Sequence, residues 1–140
     1  MTMPVVLSIC GRQSYPGQDP DEIQLVTEGI LEQTDEGWKL CYEESELTGL
    51  QGVSTTFLLK DKEVTLTRTG KLNSEMIFQE GVSHDSLYQM EFGALMLTVC
   101  ATRVEANITP NGGVIDLRYH IAVEQNEAGT VEYHLDIKLK

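Results

Sequence analysis

The stretch VTLTRTG, residues 64–70, places a cation where an apolar side chain is expected. Val64 and Leu66 lie two residues apart on one face of a predicted strand, and Arg68 is the next residue on that face. An arginine keeps its charge even in an apolar interior, and leaving its guanidinium unpaired there costs several kcal/mol. We therefore expect Arg68 to point inward and to have an acceptor, such as a carboxylate, close by.

The predicted partner of Arg68 is Glu44. The alternation of apolar side chains from Trp38 to Tyr42 continues to Glu44, which places this carboxylate on the inner face of a strand two strands away from Arg68. Two long side chains can span that separation across a small barrel. Glu43 points outward by the same alternation, so the two glutamates do not converge as the paired carboxylates of a glycosidase would.

Three roles for Arg68 are open. It forms a structural ion pair with Glu44, in which the hydroxyls of Tyr42 or Tyr88 satisfy the remaining positions. Alternatively, it binds a carboxylate or phosphate of a ligand at the mouth of the barrel. In the third case, it lies near the end of its strand and extends to water. The candidate ligand-binding residues of the barrel interior are Arg68, Glu44, Tyr42, Tyr88 and Thr55.

The histidines do not indicate a metal site. His120 and His134 are predicted to lie opposite each other on the outer face of the last hairpin, which could bind zinc or nickel, but no third ligand is identifiable. His84 is predicted in a turn at residues 81–86. We expect solvated imidazoles and no bound metal.

The sequence contains no catalytic motif. Cys41 and Cys100 lie in apolar strands with no base predicted beside them, and a thiol nucleophile requires one. A nucleophile elbow, a metal-ligand motif and a phosphate loop are also missing from the sequence. We therefore expect a protein that is not an enzyme and has no cofactor.

The chain of 140 residues is strongly acidic, with a formal net charge of −12. Its length matches one domain, residues 1–140, that can bury a core of its own. The charge argues against nucleic acids and anionic membranes as partners, because both would be repelled at long range. A basic partner or a cationic ligand is compatible with it.

The cysteines favour a reducing compartment. There are three, at positions without CxxC spacing, so they cannot all pair within the chain. The apolar stretch Pro4–Cys10 has no basic flank before it and is too short for a signal-peptide core or a membrane span. We expect a cytoplasmic protein.

Two-residue alternation recurs between turn signals at spacings of about ten residues, which is typical of an all-β sandwich or barrel. Residues 13–21, rich in Gly, Pro and Asp, are predicted to form a loop. Strands are predicted at residues 4–10, 22–33, 38–45, 53–60, 63–69, 73–80, 86–106, 113–124 and 130–139.

Three hairpins can be assigned a register, because opposed residues should be chemically compatible on both faces. Their turns are placed at residues 34–37, 61–62 and 125–129. The expected pairs are Glu32–Lys39, Leu31–Leu40 and Gly29–Tyr42 in the first hairpin, Lys60–Glu63, Phe57–Leu66 and Thr55–Arg68 in the second, and Asp116–Lys138, Arg118–Asp136, Leu117–Ile137, Tyr119–Leu135, Ile121–Tyr133, Val123–Val131 and Glu124–Thr130 in the third.

Long meandering strands with one polar face predict an antiparallel β-barrel of about eight to ten strands. Gly29 beneath Tyr42 allows a strand to bend sharply, and Gly93 is expected to form a bulge or kink within one long strand. Because both chain ends lie in predicted strands, the first strand can pair with the last and remove unpaired edges. A two-sheet sandwich is the alternative.

Several short motifs resemble a known family. They are YEE at residues 42–44, VTLTRTG at 64–70, MIF at 76–78, YQMEFG at 88–93 and Thr102. In this order and spacing, over nearly the whole chain, they resemble the YwiB-like family of uncharacterised bacterial proteins. The resemblance implies a calycin-like, lipocalin-like β-barrel in a bacterial cytoplasm and supplies no activity. The Gly-x-Trp and late arginine of secreted lipocalins are not visible, so a transport role is not implied.

The expected interior is well filled, which limits any cavity to a small space or one mouth of the barrel. The bulky inward residues are Trp38, Tyr42, Phe57, Met76, Phe78, Tyr119 and Tyr133. The first functional hypothesis is a barrel that binds a small anionic or amphipathic molecule at the mouth near Arg68. The alternative is an interaction module that presents its acidic outer surface or an apolar patch to a protein partner. The sequence does not indicate an oligomeric state.

Overall fold

The computed structural model describes residues 2–15, 17, 19–44, 51–124 and 126–140. Within these residues the chain is all-β, and its ten strands are at the upper end of the predicted range. The strands are β1 (Thr2–Ser14), β2 (Asp21–Gln33), β3 (Gly37–Glu43), β4 (Val53–Lys60), β5 (Glu63–Gly70), β6 (Ser74–Phe78), β7 (Ser83–Met90), β8 (Gly93–Thr109), β9 (Gly112–Val123) and β10 (Asn126–Leu139). The predicted end of the third strand at Ser45 lies outside the described residues.

The ten strands form one antiparallel sheet in the order β6-β5-β4-β3-β2-β1-β10-β9-β8-β7. Each strand therefore lies beside its sequence neighbours, and β1 pairs with β10, which confirms the predicted pairing of the first and last strands. The sheet curls so that its two ends, β6 and β7, meet. Asn73 and Gln89 exchange two backbone hydrogen bonds of 2.9 and 2.8 Å at this seam, and the Ser86 hydroxyl donates to the carbonyl oxygen of Glu75. The result is a nearly closed barrel.

The core fills the interior of this barrel. Of the bulky side chains predicted to point inward, Tyr42, Phe57, Met76, Phe78 and Tyr119 are buried, and Trp38 and Tyr133 pack against them while remaining partly exposed. The rings of Phe78 and Tyr119 lie 4.6 Å apart between centroids. The aromatic side chains thus occupy much of the interior.

Two of the three predicted hairpin registers are confirmed. β2 and β3 pair Leu31 with Leu40 and Gly29 with Tyr42, and β4 and β5 pair Thr55 with Arg68. Gly29 is needed at its position because a Cβ atom there would lie 2.7 Å from the carbonyl oxygen of Cys41. The close approach of β2 and β3 at this point agrees with the expected bend.

The register predicted for the last hairpin is wrong by four residues. Arg118 faces Glu132 rather than Asp136, and Asp116 faces His134 rather than Lys138. β9 extends to Val123, Glu124 follows with a positive φ of 51°, and a β-bulge lies between residues 127 and 129. Gln125, predicted to begin the turn, lies outside the described residues. Because the error is an even number of residues, every side chain remains on its predicted face.

The single strand predicted at residues 86–106 is in fact two strands. A two-residue turn at Glu91–Phe92 separates β7 from β8, and Gly93, with a φ of 146°, begins β8 instead of forming a kink within a strand. The apolar alternation continues through this turn, so periodicity does not reveal it. The predicted turn at residues 81–86 is correspondingly wrong, because β7 already begins at Ser83.

Candidate functional site

One end of the barrel contains a cavity of about 290 Å³. The odd-numbered strands β1, β3, β5, β7 and β9 all run toward this end, so it collects the last residues of each. The lining residues are Ile9, Gly11, Arg12, Gln13, Asp21, Ile23, Leu25, Glu44, Arg68, Tyr88, Tyr119, Val131 and Tyr133. Arg12, Gln13 and Asp21 are exposed, so the cavity opens to solvent at the mouth of the barrel.

Arg68 belongs to a row of residues that runs across five strands. Pairing of consecutive strands places Gly29, Tyr42, Thr55, Arg68 and Ser74 side by side from β2 to β6. The sequence predicted two of these pairs, Gly29 with Tyr42 and Thr55 with Arg68. The pairing of Tyr42 with Thr55 joins them into one row. The row carries three hydroxyl groups next to one guanidinium.

Three polar atoms of this row are buried and have no hydrogen-bond partner among the described residues. They are Nε of Arg68, Oγ1 of Thr55 and Oγ of Ser74. Buried polar groups in proteins are nearly always paired, so such a cluster requires an explanation. The Arg68 side chain also lines the cavity, so this cluster lies at the edge of the open space.

The direct ion pair predicted between Arg68 and Glu44 is not formed. No carboxylate oxygen of the described residues lies within 4.0 Å of a guanidinium nitrogen of Arg68. Both side chains nevertheless line the same cavity. Burial raises the pKa of Glu44, and the positive charge of Arg68 offsets this only in part. The positive charge of Arg68 therefore acts on Glu44, but the two side chains do not form a direct ion pair.

Buried and partly buried tyrosines lie in or beside the cavity: Tyr119 and Tyr133 line it, and Tyr42 contacts Tyr133. The hydroxyl oxygens of Tyr42 and Tyr133 lie 2.9 Å apart. Burial raises the pKa of Tyr119 to about 12, and it also raises the pKa values of Tyr42 and Tyr133, while the charge of Arg68 acts in the opposite direction on all three. These phenols therefore stay neutral at physiological pH and can serve as hydrogen-bond donors.

The structure brings together three of the five predicted site residues. Arg68, Glu44 and Tyr88 line the cavity, whereas Tyr42 and Thr55 lie in the same cross-strand row but do not line it. The Tyr42 hydroxyl contacts that of Tyr133, and a hydrogen bond between Tyr42 and Glu44 acts to lower the pKa of Glu44.

Sequence reasoning did not assign several cavity residues to the site. Tyr119 and Tyr133 were expected in the interior, and Arg12, Asp21 and Leu25 were not singled out. The available signal was the pairing of the first strand with the last, which brings β1 and β2 beside β10 and so beside Tyr133.

The outer face does not contain the histidine pair that was predicted. His134 contacts Asp116 through Nδ1, and its Nε2 lies 3.3 Å from Oδ2 of Asp136. His120 is opposite Thr130, with 3.0 Å between Nδ1 and Oγ1. The actual register also places His120 opposite Cys100, although no base was predicted beside this cysteine.

His84 is part of β7 and not of a solvated turn. Its Nε2 lies 2.8 Å from Oε1 of Gln79, and its backbone pairs with Val99. Across the described ranges, no group of three or more His, Cys, Asp or Glu side chains is arranged to hold a metal ion. The same residues include no helix long and apolar enough to cross a lipid bilayer.

The fold resembles a solved structure. The crystal structure of the ywiB protein from Bacillus subtilis superimposes with a TM-score of 0.82, at 21% sequence identity, over 96% of this chain and 92% of that one. No curated protein matches the sequence. Residues 7–137 match the profile of a domain of unknown function, DUF1934, which confirms the family resemblance indicated by the sequence motifs. The chain therefore belongs to the DUF1934 family.

Proposed function

We propose that this protein binds a small amphipathic molecule with one anionic group, and that the binding site is the cavity at the mouth of the barrel. The observation that carries the proposal is the Arg68 side chain, which lines the cavity and has no carboxylate oxygen within 4.0 Å among the described residues. A guanidinium binds carboxylate or phosphate oxygens through paired, charge-assisted hydrogen bonds. Arg68 is thus the anchor for the anionic group.

The walls of the cavity support an amphipathic ligand. Ile9, Leu25 and Val131 supply apolar surface, and the neutral phenols of Tyr119 and Tyr133 supply hydroxyl groups near Arg68. Small-molecule sites commonly combine apolar walls with a few polar groups that orient the ligand. The volume of about 290 Å³ lies at the lower end of ligand-binding cavities, which favours a short apolar part.

The acidic residues of the cavity do not oppose this proposal. Glu44 is largely buried, and its raised pKa means that protonation requires less acid than for an exposed carboxyl. An anion that approaches Arg68 would raise that pKa further, because a second negative charge disfavours the carboxylate. Asp21 lies at the exposed rim, where water screens its charge.

We further propose that the protein acts by binding and not by catalysis, in the cytoplasm, with a calycin-like barrel as its scaffold. Free Cys10, Cys41 and Cys100 are compatible with a reducing compartment. The meandering strand order, with the first strand paired to the last, is compatible with an up-and-down barrel.

Isothermal titration calorimetry with two probes tests the proposed anion site. Octanoate and octylammonium have the same apolar chain and opposite charges, so a site anchored by Arg68 should bind octanoate more tightly. Arg68→Met should weaken octanoate binding by about tenfold or more, because a hydrogen bond to a charged group contributes about 1.5–3 kcal/mol. It should also abolish the preference for the anion.

Arg103→Met is the matched control. Arg103 is exposed on β8 and forms an ion pair with Glu105, with 3.0 Å between Nη2 and Oε2, away from the cavity. The control removes the same net charge and should leave octanoate binding unchanged. Tighter binding of octylammonium, or equal octanoate affinities of wild type and Arg68→Met, would refute the proposal.

A further inference from the structure

Four large apolar side chains project from the hairpin formed by β7 and β8. Leu87 and Met96 lie opposite each other and are 45% and 40% exposed, whereas their neighbours Ser86 and Leu97 are buried. Met90 is 40% exposed at the end of β7, and Phe92 in the turn is 97% exposed. Because side chains alternate along β7, Met90 lies on the opposite face from Leu87, so we define Leu87, Phe92 and Met96 as the hairpin patch. A group of exposed apolar side chains often marks an interaction site.

Acidic side chains lie close to the hairpin patch. Between Lys71 and Arg103 the sequence contains no lysine or arginine. Asp85 precedes the patch on β7, and Glu91 lies in the turn beside Phe92. Glu124 approaches from the next hairpin, where its carboxylate accepts a hydrogen bond of 2.9 Å from the backbone N–H of Met96.

The hairpin that carries the patch is ordered by contacts to its neighbours. The backbone N–H of Glu124 donates to the carbonyl oxygen of Met96, at 2.9 Å, which reciprocates the side-chain bond. On the other side, Gln89 pairs with Asn73 across the seam of the barrel. The flexible side chain of Met96 is suited to packing against apolar groups of varied shape.

We propose that the hairpin patch is a docking surface for a basic amphipathic segment of a protein partner. The apolar face of such a segment would pack on Leu87, Phe92 and Met96, and its lysines or arginines would lie against the carboxylates around them. Charge complementarity selects this partner. A second copy of the chain would bring like charges together, and an anionic membrane surface would be repelled by a chain of net charge −12.

Fluorescence anisotropy with a labelled amphipathic peptide of leucine and lysine tests this surface. Phe92→Ser should weaken peptide binding by about tenfold or more, as truncation of an aromatic anchor does. Val26→Ser is the control, because Val26 is 68% exposed on β2, with β1, β10 and β9 between it and β8. The Val26→Ser variant should bind the peptide with the same affinity as wild type. Equal affinities of wild type and Phe92→Ser would overturn the proposal.

A charge reversal tests the acidic surround. Glu91→Lys should weaken peptide binding and reduce its salt dependence. The control is Asp61→Lys, in the two-residue turn between β4 and β5 at the other end of the barrel, which should have a much smaller effect on both. An equal loss in both variants would indicate attraction to the whole acidic surface and would overturn the proposal. Two other results would also overturn the proposal. If the wild type alone sediments as a dimer that Phe92→Ser dissociates, the patch binds a second copy of the chain. If the protein binds phosphatidylcholine vesicles through Phe92 and does not bind the peptide, the patch binds a lipid surface.

Discussion

The hydroxyl oxygens of Tyr42 and Tyr133 lie 2.9 Å apart, although the two residues are 91 positions apart in the chain. Tyr42 is on β3 and Tyr133 on β10, and β2 and β1 lie between these strands in the sheet. The hydrogen bond therefore crosses the interior of the barrel instead of joining adjacent strands. It links two walls of the barrel beside the cavity that contains Arg68.

Removal of one hydroxyl of this pair should destabilise the fold. Tyr133→Phe removes the hydrogen bond between the two hydroxyls and leaves Tyr42 only its bond with Glu44, so the free energy of unfolding should fall by about 1 kcal/mol. Urea denaturation measures the change. Tyr15→Phe is the control, because the Tyr15 hydroxyl bonds to Gln13 on the exposed surface, and its effect should stay within about 0.5 kcal/mol. A Tyr133→Phe protein as stable as wild type would show that the bond makes no net contribution.

Glu44→Gln should not destabilise the protein at neutral pH. Burial raises the pKa of Glu44 in the folded state, so the ionised carboxylate is disfavoured there relative to the unfolded chain. The contribution of this group to stability is complete below its unfolded pKa and is lost as the pH rises through the folded pKa. The amide introduced by Glu44→Gln stays neutral, so this loss of stability does not occur. The variant should therefore be as stable as wild type, or more stable, at pH 7.

The pH dependence distinguishes this account from a structural ion pair with Arg68. The advantage of Glu44→Gln should shrink as the pH falls below about 4, where the wild-type carboxyl is protonated in both states. Glu43→Gln, at the exposed neighbouring position, is the control. A large loss of stability in Glu44→Gln at pH 7 would instead indicate that its carboxylate neutralises Arg68.

His134 should stabilise the fold more at acidic than at alkaline pH. The hydrogen bond with Asp116 raises the pKa of His134, so its contribution is complete below the unfolded pKa, about 6.5, and is lost as the pH rises through the folded pKa. The pair is partly exposed, which limits the effect to less than about 1 kcal/mol.

The measurement for His134 is the difference in unfolding free energy between wild type and His134→Gln at several pH values. This difference should be larger near pH 6 than near pH 9. His120→Gln provides the comparison, since His120 faces Thr130 and not a carboxylate. A difference for His134→Gln that is independent of pH would contradict the role assigned to Asp116.

Gly29→Ala should destabilise the barrel by about 1–3 kcal/mol, the usual cost of inserting a methyl group into a packed site. A Cβ atom at Gly29 would lie 2.7 Å from the carbonyl oxygen of Cys41, so the β2–β3 pairing would have to shift. Gly11→Ala is the control, because its Cβ would meet Tyr133 at an ordinary distance of 3.6 Å. Thermal or urea denaturation compares the two. Equal stabilities would mean that β2 moves freely away from β3.

The sequence by itself determined which face the residues of several strands occupy. Alternation placed Arg68, Tyr42 and Phe57 inside, and two turns with clear signals determined the registers of β2–β3 and β4–β5. The pairing of β1 with β10 followed from apolar strands at both chain ends. These features depend on neighbours within a few residues or on the two-residue period, so a single chain contains enough information to predict them.

Only the tertiary structure decided the features that a two-residue period cannot distinguish. A four-residue shift of β10 keeps every side chain on its face, so alternation could not exclude it, yet it replaces the His120–His134 pair with a contact between His134 and Asp116. Likewise, the cavity exists because closure brings β1 and β10 next to each other near the end of β5, which gathers Arg68, Glu44 and Tyr133 without a direct contact between Arg68 and Glu44. Distances across the interior depend on how the whole sheet curls, and no local pattern encodes that curvature.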